Sequence, residues 1–354
     1  MRRIIIFLLI GIILQSCGNG KTKSDINIRI DDYIREITLE NEIPGIALAI
    51  IKDGNLIHKK NYGNSNLDYE IPVNEKTIFP LFSTSKIFAT VAIHKLIEQK
   101  KLNLEDSISI YLKDLPEEWN NLKVKHLLSH SSGLPDIGRY ERENEKTAKA
   151  KIYKDSLIFE KGYTFKYNQT NFWLLNRIAD KLTKKSLANL VLEEQFPLTS
   201  LAVFEGNSLN IVKNRVTSYM DYPKKGYLRK IEYKNPSYLY GASGFNISLN
   251  EFIDWDKRFD NNEIISQNSK QRLFQPFDYE KGRLYTNGWY MDKTNNNVSY
   301  YYTGSFSTGY KKYVDKNLTI IFLTNGSKNL LSVNRIMKHL AGIIDSDLIE
   351  NNKN

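Results

Sequence analysis

Apolar and polar positions change their period along the chain, and each change marks an element. From Ile26 to Asn41, isoleucines at 28, 30, 34 and 37 recur at roughly helical spacing and predict an amphipathic helix. Ile43-Pro44-Gly45 breaks it. Two apolar runs, Ile46–Ile51 and Leu56–Tyr62, then flank Asp53-Gly54, the pattern of a tight β-hairpin. A third run, Phe79-Pro80-Leu81-Phe82, stops at Ser83-Thr84-Ser85-Lys86, and Ile87, Val91, Ile93, Leu96 and Ile97 predict a long amphipathic helix behind it. The segment Val124–His130 predicts a helix that Ser131-Ser132-Gly133 ends and Pro135 cannot continue.

Strand patterns return near the C-terminus. Leu284–Met291, Val298–Tyr302, Tyr310–Val314 and Leu318–Leu323 predict successive strands, the last two joined around Asp315-Lys316-Asn317, and Leu330–Ile344 predicts a closing helix. The expected fold class is therefore α+β (mixed α/β). Residues 26–350 form a single domain in this reading. One lobe (26–82 and 241–350) pairs the N-terminal helix and hairpin with the C-terminal strands and helix. The other (83–240) is mainly helical, and the site is expected in the groove between lobes.

The first residues belong to targeting, not to the fold. Arg2 and Arg3 precede an apolar run, Ile4–Leu14, too short for a comfortable membrane span. It ends in Leu14-Gln15-Ser16-Cys17, which resembles a bacterial lipobox, and the chain's one cysteine falls where a lipobox needs it. Residues 1–16 are accordingly expected to be a lipoprotein signal peptide, with Cys17 as the lipidated residue and 17–25 as a tether. A plain signal peptide or short anchor is the alternative. The resulting localisation is the bacterial cell envelope, with the domain outside the cytoplasm. The net charge of +10, from 50 basic and 40 acidic residues, is spread without an arginine-rich block. That distribution argues against nucleic acid as a partner.

Candidate chemistry centres on Ser83 and Lys86. At the start of a helix the two share one face, an amine within reach can take the serine proton, and the helix dipole favours the negative charge that follows. By itself so short a pattern more often marks an N-capping serine beside a solvated lysine, and only the rest of the chain changes that. His126 and His130 stand four apart on a plausible helix, but no glutamate lies between them and no third ligand is apparent, so no metal is expected. His130 is also a rival to Lys86 as the base of a triad, although Ser83 lacks the glycine-flanked elbow of such serines.

Several ordered blocks now join the Ser-x-x-Lys. They are Thr77-Ile78-Phe79 before it, Leu102-Asn103-Leu104-Glu105-Asp106 after its helix, and the His126–Pro135 segment. Further on come Phe165-Lys166-Tyr167-Asn168-Gln169-Thr170-Asn171, Gly241-Ala242-Ser243-Gly244-Phe245 with Leu249–Trp255, and Tyr302-Thr303-Gly304-Ser305. Together they resemble the serine β-lactamase and penicillin-binding-protein superfamily, nearest to its class C β-lactamase, D-Ala-D-Ala peptidase and esterase branch. The resemblance covers nearly all of the mature chain. It implies an antiparallel sheet flanked by helices plus an all-α region, and an acyl-enzyme mechanism without a cofactor. Ser83 would be the nucleophile, Lys86 its activator and Tyr167 part of the proton relay. The backbone N–H groups of Ser83 and Ser305 would form the oxyanion hole, with Thr303 and Gly304 beside them.

Two positions depart from the family pattern. Gln169 stands where the family's Tyr-x-Asn has asparagine, one methylene longer, and Asn168 or Asn171 is a possible substitute. Tyr302 stands where relatives carry lysine or histidine, which removes a cation, and a tyrosine packed on its strand neighbours is the plain alternative. One more residue also separates Gly304 from Gly309 than in the common pattern. Lys311 or Lys312 would restore the cation, though strand alternation points only one of them inward. Without it, Lys86 is expected to carry more of the base role. Poor β-lactam turnover is expected too, with a small-molecule ester, amide, peptide or peptidoglycan-like substrate in its place. The other functional class is a weakened relative that binds peptidoglycan or a partner as a lipoprotein.

Overall fold

The computed structural model describes residues 23–349, apart from 222–223, 282–283 and 306–307. The expected signal peptide, Cys17 and most of the expected tether lie outside the described residues. Helix α1 (Lys23–Asn41) begins three residues before the expected start. Ile30, Ile34 and Ile37 are buried, whereas Ile28 is exposed. At 100° per residue Ile28 lies on the opposite side of the helix from Ile30, so it cannot share the stripe.

The Asp53-Gly54 hairpin forms between β1 (Gly45–Lys52) and β2 (Asn55–Asn66). Both turn residues have positive φ (52° and 74°), as a primed two-residue turn requires. Short strands β3 (Ile71–Pro72) and β4 (Ile78–Pro80) follow. The strands at the other end of the chain are β9 (Tyr290–Thr294), β10 (Asn297–Gly304), β11 (Thr308–Tyr313) and β12 (Leu318–Thr324). They complete an antiparallel sheet in the order β3-β2-β1-β12-β11-β10-β9. The first of these strands starts later than the apolar run beginning at Leu284 predicted. Thr286 and Trp289 bond each other across Asn287-Gly288, and Gly288 has φ 139°, so the run folds into a tight turn first.

Central strands are apolar at nearly every position because the sheet is covered on both faces. Ile46, Leu48, Ile50, Ile320 and Phe322 pack with α1 and with α9 (Val333–Ile344). Leu330, expected to open that closing helix, is 94% exposed and precedes it. Ala47, Ala49, Ile321 and Leu323 face the main core.

That core is built on α2 (Lys86–Glu98). The amphipathic expectation fails here. Within α2 only Lys95, Ile97 and Glu98 escape full burial, because the helix runs through the middle of the protein. Around it lie α3 (Val124–Leu128), α4 (Glu145–Ile152), α5 (Thr170–Thr183) and α6 (Leu187–Gln195), then α7 (Leu249–Asp260) and α8 (Gln267–Phe274). Short strands β5 (Val203–Phe204), β6 (Tyr219–Met220), β7 (Arg229–Lys230), β8 (Phe245–Ser248) and β13 (Gly326–Ser327) form two small sheets. One of them, β4-β8-β5, holds the segment that leads into Ser83. Ser248 caps α7 reciprocally with Glu251, which stops β8 and starts the helix within one residue.

Candidate active site

Ser83 lies in a 3₁₀ turn (Phe82–Ser85) that precedes α2, not in the helix itself. Phe82 carries the strain of the entry, with φ +48°. Two neighbours fix the turn. The Leu81 N–H bonds the Phe245 carbonyl at 2.8 Å, and the Leu81 carbonyl accepts from Thr308 Oγ1 at 3.1 Å. The end of β10 packs beside it, and a Cβ on Gly304 would stand 2.2 Å from the Leu81 oxygen. Only glycine allows this approach.

Ser83 Oγ and Tyr167 Oη are 2.8 Å apart. Lys86 is fully buried, and its Nζ donates to the Ala242 carbonyl at 2.7 Å and to Gln169 Oε1 at 3.2 Å. The same nitrogen sits 4.8 Å from the Tyr167 ring centre and 5.2 Å from that of Phe172. Burial lowers the Lys86 pKa to about 7, against a smaller opposing pull from the Asp136 carboxylate. A large share of Lys86 is therefore the free amine at neutral pH. Burial moves the Tyr167 phenol the other way, above the ordinary tyrosine value, with hydrogen bonds from Ser83 and Gln169 opposing. Tyr167 is a neutral hydroxyl here.

Gln169 takes the place beside the lysine despite its extra methylene. Its backbone N–H bonds Asp136 Oδ1 at 2.9 Å, and the same oxygen accepts from the Gly138 N–H at 2.9 Å. A Cβ on Gly138 would come within 3.2 Å of Gln169 Cγ, so this glycine makes room for the longer stem. The proposed substitutes are committed elsewhere. Asn168 Nδ2 donates to the Leu134 carbonyl at 3.3 Å, and Asn171 bonds Ser132 and His130. Asp136, Gly138 and the Ala242 carbonyl escaped the sequence reading. Asp136 follows Pro135, where the motif appeared to end.

Tyr302 is fully buried on β10, with its hydroxyl 3.2 Å from that of Tyr285. Tyr290 meets its ring edge-on at 5.1 Å. Burial holds the Tyr302 phenol well above its ordinary pKa, and the neighbouring tyrosines push the same way. The family's cation is thus replaced by neutral phenols. Neither lysine of β11 restores it. Lys312 points to α7 and bonds Asp256 and Asp260, each at 2.9 Å. Lys311 points to the other face, 3.4 Å from Asp292 and 2.9 Å from Asn334 of α9. Gly309, one residue earlier than Tyr310, is packed so closely that a Cβ would lie 2.6 Å from Val333. Thr303, Gly304 and the exposed Ser305 line a cavity of about 930 Å³ with Tyr290, Tyr301 and Asn334.

The two histidines do not converge. The His126 Nδ1 accepts from the Lys123 N–H at 3.1 Å, while His130 is buried against Tyr167 with Nδ1 2.9 Å from Asn171 Nδ2. Among the described residues, no three His, Cys, Asp or Glu side chains gather as a metal site. The hydrogen-bond partner of Ser83 is Tyr167, not His130.

The Beta-lactamase family model matches residues 30–339. The chain belongs to the Beta-lactamase family. Protein flp of Staphylococcus aureus (strain NCTC 8325 / PS 47) is 28% identical over 178 residues, which cover 48% of this chain and only 36% of flp. Penicillin-binding protein 4* of Bacillus subtilis (strain 168) is 23% identical over 326 residues, covering 84% of this chain and 72% of that protein. Among solved structures, the octameric penicillin-binding protein homologue from Pyrococcus abyssi superposes with TM-score 0.76 at 22% identity, over 89% of this chain and 76% of that one. EstCE1, a hydrolase with promiscuous acyltransferase activity, does so with TM-score 0.72 at 17% identity, over 91% and 99%. These structures share the fold, and the mixed α/β architecture with its antiparallel sheet is that of the family.

Proposed function

We propose that this member of the family is an envelope-anchored serine hydrolase that works through an acyl-enzyme on an ester, amide or peptide without a terminal carboxylate. The observation that carries the reading is the 2.8 Å contact of Ser83 with Tyr167 beside a buried, readily deprotonated Lys86. Acylation forms a bond from Ser83 Oγ to the substrate carbonyl carbon and breaks both the serine O–H bond and the bond from that carbon to the leaving group. The serine proton passes through Tyr167, whose hydroxyl touches Ser83, to the free amine of Lys86 beside its ring. The same proton returns from Lys86 through Tyr167 to the leaving group, so both residues end in their starting states. The backbone N–H groups of Ser83 and Ser305 are proposed to hold the oxyanion, where one donor is typically worth about 3 kcal/mol of barrier. Water then hydrolyses the ester and regenerates the serine.

The substrate preference rests on Tyr302. A neutral buried phenol gives a carboxylate no charge partner, which favours uncharged ends over β-lactams and D-Ala termini. Anchoring rests on Cys17 and its lipobox-like context. The experiment is intact-mass analysis after a fluorophosphonate probe, with Ser83→Ala as the control, followed by p-nitrophenyl ester and nitrocefin hydrolysis. A Ser83-dependent adduct with faster ester turnover is expected. No adduct on the unmodified chain would favour the peptidoglycan- or partner-binding alternative, and fast nitrocefin turnover would remove the ester preference.

A further inference from the structure

His130 carries two local costs. Its backbone is left-handed, with φ +54°, a conformation that favours glycine or asparagine. Its side chain is fully buried, and Nε2 has no hydrogen-bond partner among the described residues. Such costs persist where the surroundings over-determine them, and they cluster at functional sites.

The surroundings also fix the ring's protonation. Asn168's backbone N–H, which can only donate, lies 3.4 Å from Nδ1. Ser132 Oγ accepts from the Leu134 N–H at 3.3 Å and donates to Asn171 Oδ1 at 2.6 Å. Because the Asn168 N–H already makes Nδ1 an acceptor, the Asn171 amide nitrogen rather than its oxygen faces His130 and donates to Nδ1 at 2.9 Å, an orientation that matches the Ser132 bond to its oxygen. Nδ1 is an acceptor twice over, so the proton of the neutral ring is on Nε2. With its lone pair occupied, this imidazole is closed to the serine proton.

The ring lies against the relay. Its centre is 4.7 Å from that of Tyr167 at 34° and 5.6 Å from that of Phe172 at 36°. Phe165 and Tyr285 meet it edge-on. The His130 carbonyl also accepts from the Lys166 N–H at 2.9 Å, tying the residue before Tyr167 to the same point.

We propose that His130 is a positioning residue for Tyr167: a neutral imidazole, locked as one tautomer by Asn168 and Asn171, that holds the phenol ring so its hydroxyl stays on Ser83. This rests on the hydrolase reading above. Small misplacements of a reacting group cost up to about 100-fold in rate, so the effect belongs on the acylation step and not on probe binding.

The test measures Ser83 labelling by a fluorophosphonate on the full chain, separating maximal rate from half-saturating concentration. The variants are His130→Asn and His130→Gly, both suited to positive φ. We expect the maximal rate to fall about 10–100-fold, with half-saturation within about twofold. Imidazole added to His130→Gly should restore part of the rate. Pyrrole, the same size but without an acceptor nitrogen, should not. An unchanged maximal rate in either folded variant would overturn the proposal. So would equal rescue by both rings, or by neither. Failure of both variants to fold would overturn it as well, since the role would then lie in folding. If the unmodified chain is not labelled at all, the hydrolase reading itself falls, before any variant is compared.

Discussion

The Gln169 side-chain oxygen accepts from Lys86 Nζ at 3.2 Å, so the longer amide occupies the place where the family pattern puts an asparagine. Its reach depends on the gap above Gly138. A hydrogen bond to a charged or part-charged group is worth about 1.5–3 kcal/mol. Gln169→Ala should therefore lower kcat/KM for a p-nitrophenyl ester about 10-fold or more. Gln169→Asn should not recover it, because the stem is then one methylene short. Gly138→Ala should move activity in the same direction by pushing on Gln169 Cγ. Steady-state kinetics of the three variants check this.

Lys86 should control the pH dependence. Its folded pKa is about 7 against an ordinary 10.5, so the free amine needed for acylation appears as pH rises through about 7. The labelling rate at Ser83 is expected to climb with that midpoint. Stability carries the opposite signature of the same shift. Between pH 10.5 and 7 the unfolded chain binds more protons at this position, so Lys86 destabilises the fold increasingly as pH drops. Lys86→Met should abolish labelling. Its Tm advantage over the unmodified chain should widen from pH 10 towards 7 and level off below. A gap that narrows over that range would refute the assignment.

Tyr302 sits too deep for the family's cation. In Tyr302→Phe the loss is one hydroxyl pair with Tyr285, about 1 kcal/mol. Tyr302→Lys places an amine among Tyr285, Tyr290 and the core, fully buried and without an anion, and should cost about 3–5 kcal/mol. Urea unfolding of both variants measures the difference. If Tyr302→Lys folds as well as the unmodified chain, the pocket is more open than its burial implies.

Gly304 admits no side chain. An added methyl at 2.2 Å from the Leu81 carbonyl and 2.6 Å from Thr308 Oγ1 would force β10 away from the turn that carries Ser83. Gly304→Ala is expected to lose fluorophosphonate labelling while keeping most of its far-UV circular dichroism, since the displaced contact is local.

The elements were legible where short-range physics decided them. Asp53-Gly54 fixed its turn through positive φ at both residues. Leu249–Trp255 was legible only as a block of the family resemblance, and the Ser248–Glu251 cap that starts its helix is a structural finding. Ser83, Lys86 and Tyr167 were legible as a set, and the structure brings them together. What the sequence could not convey was burial and direction. A helix with isoleucines on one stripe looks amphipathic until its alanines and Thr90 are found buried too. Tyr302 reads as a lost cation, but only its depth and the Tyr285 contact show that phenols fill the space. Lys311 and Lys312 are adjacent in sequence, yet each serves a different layer. Asp136 reaches Gln169 across 33 positions by one hydrogen bond, for which no local pattern exists.

The paired lysines of β11 also bear on how the sheet finds its alignment. A slip by one residue turns every side chain of a strand to the other face. Here such a slip would still offer a lysine to Asp256 on one side and to Asp292 on the other, so charge alone distinguishes the two alignments poorly. Gly309 supplies the discrimination. The slipped strand would bring Tyr310 to the spot where Val333 and Met337 leave no space even for a methyl group. The strand beside Tyr302 is thus held in register by an absence of side chain, and even a small substitution at Gly309 would crowd Val333 and Met337 and narrow the margin by which the correct alignment is preferred.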